Sequence, residues 1–145
     1  MSQAEDVLAL SPQPVPSQQA YTVQSIRQMC SKTYKMGSEN LFYIFLSALN
    51  QYNIKIEEIQ SRTGTILFKV NSKEFLVSIS NKDSNNSYIK IIPADNNYNF
   101  SPVIIQKILS YIDLMVFYNF LHLKYKMSVL KRDTWIKFIE DKMKK

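Results

Sequence analysis

The sequence is poor in three residues on which many enzyme sites depend: 145 residues include two Gly, one His and one Cys. Two Gly residues cannot build a Gly-rich phosphate loop, and neither GxGxxG nor GxxxxGK[ST] occurs. The single His122 and the single Cys30 lie far apart and match no known spacing of metal ligands. We therefore expect no metal site, no cofactor and no small-molecule substrate.

The acid and base groups that are present do not form a recognisable catalytic set. His122 stands between Leu121 and Leu123, which is typical of a packed histidine. A serine hydrolase would need this residue as its base, with partners that the sequence does not indicate. Glu57 and Glu58 are adjacent in a predicted strand, where neighbouring side chains point to opposite faces. We expect no catalytic residues and a protein that is not an enzyme; a small hydrolase or transferase has little support.

The lone Cys30 also excludes an intramolecular disulfide, which favours an intracellular protein, cytoplasmic or nuclear. Residues 1–20 have neither the basic start nor the apolar stretch of a secretory signal. The longest run of low charge, residues 108–123, contains Asp113 and is shorter than the roughly 20 residues that span a bilayer. We expect this run to be a buried helix.

Composition indicates one folded domain with a leader. Hydrophobic residues make up 46% of the chain and charged residues 21%, which is enough to bury a core. Residues 1–20 are polar and contain Pro12, Pro14 and Pro16, so we predict a disordered, Pro-containing leader there. Residues 21–145 are then a single domain with a basic C-terminal helix.

Hydrophobic periodicity predicts an α+β fold. Helical spacing favours a short helix over residues 22–32 and a longer one over residues 39–52, with Ser38 as its N-cap. Period-two alternation then predicts four strands, of which the second and third form a hairpin. These strands cover residues 54–59, 65–70, 74–80 and 88–92. Because every connection is short, we expect a four-stranded antiparallel meander.

Two helices are predicted after the sheet. Ser101 and Pro102 are a strong start signal for a helix that runs to about residue 124. Its centre is apolar on nearly every side, so we expect other helices or a partner chain to cover what the sheet cannot. Residues 128–145 form an amphipathic helix whose apolar side carries Val129, Trp135, Ile136, Ile139 and Met143. The expected fold is thus a meander flanked by an N-terminal helix and two C-terminal helices.

The net charge of +6 is concentrated near the C-terminus. Residues 38–100 are electrically balanced, whereas residues 101–145 hold nine basic and four acidic residues. This basic helix is either a solvated face or a surface that binds phosphates of nucleic acid or of an anionic membrane. The candidate anion-binding residues are Lys124, Lys126, Lys131, Arg132 and Lys137.

The predicted order of elements resembles that of RWD-type domains over about residues 38–124. Residues 88–100, YIKIIPADNNYNF, with Pro93 after a strand and Pro102 at a helix start, are similar to the strand–loop–helix passage of that family. Ile92-Pro93 stands where the family usually has Tyr-Pro. The resemblance implies a noncatalytic docking module of multi-subunit complexes. Lipid-binding kinase-associated domains and secretion-chaperone-like domains share the element order.

The surplus of apolar helix surface gives the leading functional hypothesis. We expect a noncatalytic protein-interaction or adaptor subunit of a larger complex, which docks a protein partner or a second copy of itself. The predicted docking residues are Leu114, Phe117, Leu121, Trp135 and Ile139. The alternative is a module that binds phospholipid or nucleic acid through the basic C-terminal helix.

Overall fold

The computed structural model describes residues 21–125 together with Lys137, Glu140 and Asp141. Residues 21–125 form three helices and five strands, so the predicted α+β class is confirmed. The elements are α1 (Val23–Met29), β1 (Ser31–Tyr34), α2 (Ser38–Gln51), β2 (Lys55–Gln60), β3 (Thr65–Val70), β4 (Lys73–Asn81), β5 (Ser87–Pro93) and α3 (Val103–Tyr125).

The sheet has five strands, one more than predicted. Its order is β1-β5-β4-β3-β2, and every neighbouring pair is antiparallel. The four predicted strands form the expected meander from β2 to β5. The additional strand β1 pairs with β5 from Ser31 opposite Lys90 to Tyr34 opposite Ser87, and it is one edge of the sheet.

The helix predicted over residues 22–32 is shorter because its last residues belong to β1. Thr22 caps α1: its hydroxyl accepts a hydrogen bond from the Ser25 N–H at 3.0 Å. The helix ends at Met29, and the Cys30 carbonyl accepts a hydrogen bond from the Ile91 N–H of β5 at 2.7 Å. The sequence of β1, SKTY, has no alternation of apolar and polar residues. Pairing with β5 therefore decides its conformation, and no local pattern predicts it.

The predicted second helix and the hairpin are confirmed, with shifts of one residue at some ends. α2 starts at Ser38 with Gly37 as its N-cap, where Ser38 itself was the predicted cap. The Ser38 N–H instead donates to the Asn81 side chain at 3.2 Å. Asn71, with a φ of 57°, turns the chain between β3 and β4.

The core lies on one face of the sheet, where α2 and α3 pack side by side. The fully buried side chains of α2 are Leu41, Phe45, Ala48 and Leu49, and those of α3 are Ile105, Ile108 and Ile112. They meet the inward-facing residues of the sheet, which are Ile66, Phe68, Phe75, Val77, Ile79, Ile89 and Ile91. The other face carries Leu67, Leu76 and Ile92 side by side, and Leu76 is 39% exposed.

α3 starts as predicted but is less buried than its composition suggests. The Ser101 hydroxyl accepts from the Val103 N–H at 3.5 Å, and the Gln106 N–H donates to the Pro102 carbonyl at 2.9 Å. By length and hydropathy, Val103–Leu123 is long and apolar enough to cross a membrane, with a mean hydropathy of 1.3. Only 22% of that stretch is buried in the fold. One side of the helix, however, supplies part of the core. If the helix crossed a membrane, the apolar side chains of the sheet that it now covers would be exposed to water.

Candidate interaction surface

Large apolar side chains are exposed along the C-terminal half of α3. Phe117 is 46% exposed and Leu123 is 70% exposed, while Leu114 and Leu121 are half-buried. Positions 114, 117 and 121 are three and four residues apart, which places them on the same side of the helix. We call Leu114, Phe117 and Leu121 the α3 surface. The structure thus brings together three of the five predicted docking residues.

The antiparallel packing of the two helices explains this exposure. The ring of Tyr52, the C-cap of α2, contacts that of Tyr111 in α3, with 6.4 Å between centroids. Asn40, in the first turn of α2, shares a cleft with Tyr118 and Asn119. α3 therefore passes the start of α2 shortly after Asn119. Of the α3 side chains that the structure describes, the last buried one is Met115, at 3% exposure.

The one acidic residue of α3 is used to attach the helix to the edge strand. Asp113 accepts two hydrogen bonds from the Lys32 ammonium, at 2.8 and 3.0 Å, and one from the Tyr34 hydroxyl at 2.8 Å. Burial raises the pKa of Tyr34, and the hydrogen bond to Asp113 raises it further. Tyr34 thus remains a neutral donor at ordinary pH. These hydrogen bonds hold α3 against β1. The Lys32 ammonium also neutralises the charge of Asp113, the only carboxylate of α3.

The remaining predicted site residues lie mostly beyond the part that the structure describes. Lys124 is in the last turn of α3, and Lys137 is helical and exposed. The others, Lys126, Lys131, Arg132, Trp135 and Ile139, are outside the described residues.

Glu140 lies within electrostatic range of the folded body. Partial burial raises the pKa of Tyr52, and the negative charge of Glu140 raises it further. Glu140 is helical and exposed, as are Lys137 and Asp141. Because Lys137 and Asp141 belong to the side of the C-terminal segment that was predicted to be polar, their exposure agrees with that pattern.

A cleft of about 240 Å³ separates α2 and α3 next to the exposed half of α3. Tyr43, Ile44, Met115 and Tyr118 supply apolar walls, and the amides of Asn40 and Asn119 supply hydrogen-bonding groups. Among the described residues that line it there is no carboxylate, imidazole, thiol or ammonium group.

Two further clefts lie at the ends of the sheet. One, of about 520 Å³, lies between the start of α2 and the β2–β3 turn and includes Arg62. The other, of about 350 Å³, includes Lys73 and Asp95, which form an ion pair at 3.0 Å.

One contact between two carboxyl groups has no signal in the sequence. A register shift between Ile56 and Glu58 displaces Glu57, which forms a hydrogen bond with Glu74 of β4. This shared hydrogen bond lowers the pKa of Glu57 and raises that of Glu74. No local signal predicts the contact, because it depends on the bulge in β2. The pair lies outside all three clefts, and Lys55 pairs with Glu57 at 3.6 Å.

The thiol and the imidazole are placed for packing. Cys30 is 2% exposed, and burial raises its pKa to about 11, so the thiol stays protonated and unreactive at neutral pH. The rings of His122 and Tyr118 are stacked at 6.2 Å. Within the described residues there is no cluster of three or more His, Cys, Asp or Glu side chains suited to a metal ion.

Comparison with known proteins gives no further assignment: no protein-family model matches the sequence, and no curated protein is significantly similar to it.

Proposed function

We propose that this protein is a noncatalytic interaction subunit that docks a protein partner through the α3 surface. The observation that carries the proposal is the exposure of Phe117, 46%, between half-buried Leu114 and Leu121. A phenylalanine contributes about 1.5–3 kcal/mol when it is fully removed from water. The half that is still exposed therefore leaves about 1 kcal/mol for a partner to gain at this residue alone.

The element order α2, β2–β5, α3 supports a role like that of RWD-type docking domains. The edge strand β1 is not part of that resemblance. We extend the proposal to an intracellular adaptor, with Trp135 and Ile139 as further docking residues.

The second candidate is a module that binds anionic lipid or nucleic acid. It is favoured by the exposure of Lys137 and by the basic residues Lys124, Lys126, Lys131 and Arg132 around it in the sequence. The two candidates differ in their response to salt. Apolar docking changes little with ionic strength, whereas binding to phosphates weakens steeply.

The test is capture of a partner from native lysate by the full chain, with mass spectrometry to name it. The key variant is Phe117→Asp, because docking would have to bury the new carboxylate. We expect a loss of at least about 2 kcal/mol, or about thirtyfold in affinity. The matched control is Ile59→Asp, which changes a 49% exposed apolar residue on the edge strand β2.

Capture that survives high salt, is lost with Phe117→Asp and is kept with Ile59→Asp would support the proposal. Both variants should keep the thermal stability of the wild type, since both side chains are about half exposed. A monodisperse monomer that captures nothing, or equal capture by both variants, would refute docking through the α3 surface. Capture that disappears at high salt and after charge reversal at Lys131 and Arg132 would favour the second candidate.

A further inference from the structure

A groove between α2 and α3 connects the cleft of about 240 Å³ with the contact between Tyr52 and Tyr111. Ser47 and Met115 line the cleft, and the two tyrosines lie about one turn further along their helices. We call the cleft and this extension of it the α2–α3 groove. Tyr43, in the wall of the cleft, is 55% exposed, so the apolar wall is open to water among the described residues.

Glu140 shows where the C-terminal segment returns to the folded body. Burial raises the pKa of Tyr52 and the charge of Glu140 raises it further, so the carboxylate lies near the Tyr52 end of the groove. α3 ends at Tyr125, beyond the other end of the groove. The part of α3 from Tyr125 back to Tyr111 is about 21 Å long. The fifteen residues 126–140 can cover this distance as a short turn and a helix of similar length.

The described residues of this segment show which side is turned to solvent. Lys137, Glu140 and Asp141 are helical and exposed. Positions 135 and 139 are each two residues from Lys137, which places them on the opposite side of a helix. These positions are Trp135 and Ile139, and the apolar side of the segment is therefore the side turned towards the body.

We propose that residues 126–145 fold back along the α2–α3 groove as a helix antiparallel to α3, with Trp135 in the cleft. The helical rise places Trp135 about 7.5 Å before Glu140, which is the level of Met115 in the cleft. The apolar walls of the cleft suit the indole ring. The Asn119 amide oxygen can accept the hydrogen bond that a buried indole N–H requires.

This inference goes beyond the proposed docking function and does not rest on it. While the segment lies in the groove, Trp135 and Ile139 are withheld from a partner, whereas Phe117, which does not line the cleft, stays accessible. A partner that uses Trp135 must therefore displace the segment. The segment is tethered to α3, so its effective concentration at the groove is about millimolar, which favours it over a second copy of the chain.

The experiment uses the fluorescence of Trp135, which is the only tryptophan of the chain and so reports on this contact alone. Its emission maximum and its quenching by acrylamide are measured in the full-length protein at micromolar concentration, in buffer and in urea. We expect a blue-shifted emission in buffer and quenching that is several-fold weaker than in urea, because the groove removes the ring from water.

Two matched variants assign the burial of Trp135 to the groove. Tyr43→Asp places a carboxylate in the wall of the cleft, which the docked segment would have to bury, so the emission should shift to that of the unfolded chain. Ile59→Asp, at a 49% exposed position of the edge strand β2, is the control and should keep the wild-type emission. Both side chains are about half exposed, so both variants should keep the circular dichroism spectrum of the wild type.

A second measurement locates the indole ring without changing the cleft. A bimane label on Gln51→Cys, an exposed position one turn after Ser47, should be quenched by contact with Trp135, and Trp135→Phe should remove this quenching. The same label on Thr33→Cys, an exposed position of β1, is the control and should not be quenched. The native Cys30 is 2% exposed and should stay unlabelled.

Three outcomes would overturn the inference. The first is quenching of Trp135 by acrylamide as strong in buffer as in urea. The second is a buried Trp135 that Tyr43→Asp does not expose and that does not quench the label on Gln51→Cys, because the segment then packs elsewhere. The third is burial that is lost on dilution, which would show that a second copy fills the groove. If Trp135 is exposed but Phe117→Asp still abolishes capture of a lysate protein, the docking function stands and only the folding back of the segment is refuted.

Discussion

The contact between β1 and α3 provides a sharp test of what holds α3 against the edge of the sheet. Tyr34→Phe removes a single hydroxyl that donates to the Asp113 carboxylate at 2.8 Å, and it leaves the ring in the core. The hydroxyl is also 3.4 Å from the Leu109 carbonyl, which is a weaker contact. The change therefore isolates the bond to Asp113 without creating a large cavity.

The magnitude follows from the charge and exposure of the two partners. A hydrogen bond to a charged group contributes about 1.5–3 kcal/mol to stability. Tyr34 is 6% exposed, but the Asp113 side chain is 43% exposed and partly solvated, so we expect the lower end, about 1.5 kcal/mol. The ion pair of Lys32 and Asp113, with both side chains 43% exposed, should contribute about 0.2–1 kcal/mol. Lys32→Met should thus cost less than Tyr34→Phe.

The assay is urea unfolding followed by circular dichroism, with Tyr43→Phe as the control at a 55% exposed tyrosine. Tyr34→Phe and Asp113→Ala should also be non-additive by about 1 kcal/mol in a double-mutant cycle, because each removes the same bond. If Tyr34→Phe costs no more than Tyr43→Phe, or if the cycle is additive, the bond does not hold α3 against β1.

Three further predictions concern the core and its turns. Gly64→Ala should destabilise the protein by at least about 2 kcal/mol in urea unfolding, because Gly64 has a φ of 73° and an added Cβ would clash with the Ile79 carbonyl oxygen. A smaller loss of stability would contradict this close approach of the two backbones. Ile108→Ala, at a fully buried position of α3, should lower the free energy of unfolding by about 2–5 kcal/mol. Leu123→Ala, at a 70% exposed position, should lower it by less than about 1 kcal/mol. Similar melting temperatures for the two variants would refute the burial of one side of α3. The Cys30 thiol should react with iodoacetamide at pH 8 far more slowly in the native protein than in urea. The pKa of the Cys30 thiol is higher in the folded protein than in the unfolded chain. The stabilisation from burying the neutral thiol should therefore be complete below pH 9 and should disappear as the pH rises from 9.0 towards about 11. Native alkylation as fast as in urea would contradict this burial.

The strands and helices with strong periodicity could be predicted from the sequence alone. The β3–β4 hairpin follows from the alternation around Phe68 and Phe75, and the start of α3 from Ser101 and Pro102. In both cases the signal is local, because neighbouring residues decide which side faces the core. β1 has no such signal, since its conformation depends on pairing with β5, a segment more than fifty residues away.

The candidate site was predictable only in part. The sequence indicated that the α3 helix carries more apolar surface than the sheet can cover, and it named Leu114, Phe117 and Leu121. It did not indicate which side of a helix that is apolar nearly all round would face the core. Nor did it indicate that Glu57 and Glu74 meet, because their contact depends on a bulge and a cross-strand register.

Composition and periodicity determined the α+β class, the four central strands and the concentration of positive charge near the C-terminus, because these depend on residue type and local spacing. Tertiary structure decided the edge strand, the partners of Asp113 and the exposure of Phe117. Those features depend on which distant segments meet. The antiparallel packing of α2 and α3, which buries Met115 and leaves Phe117 at the surface, determines which apolar side chains of α3 are accessible.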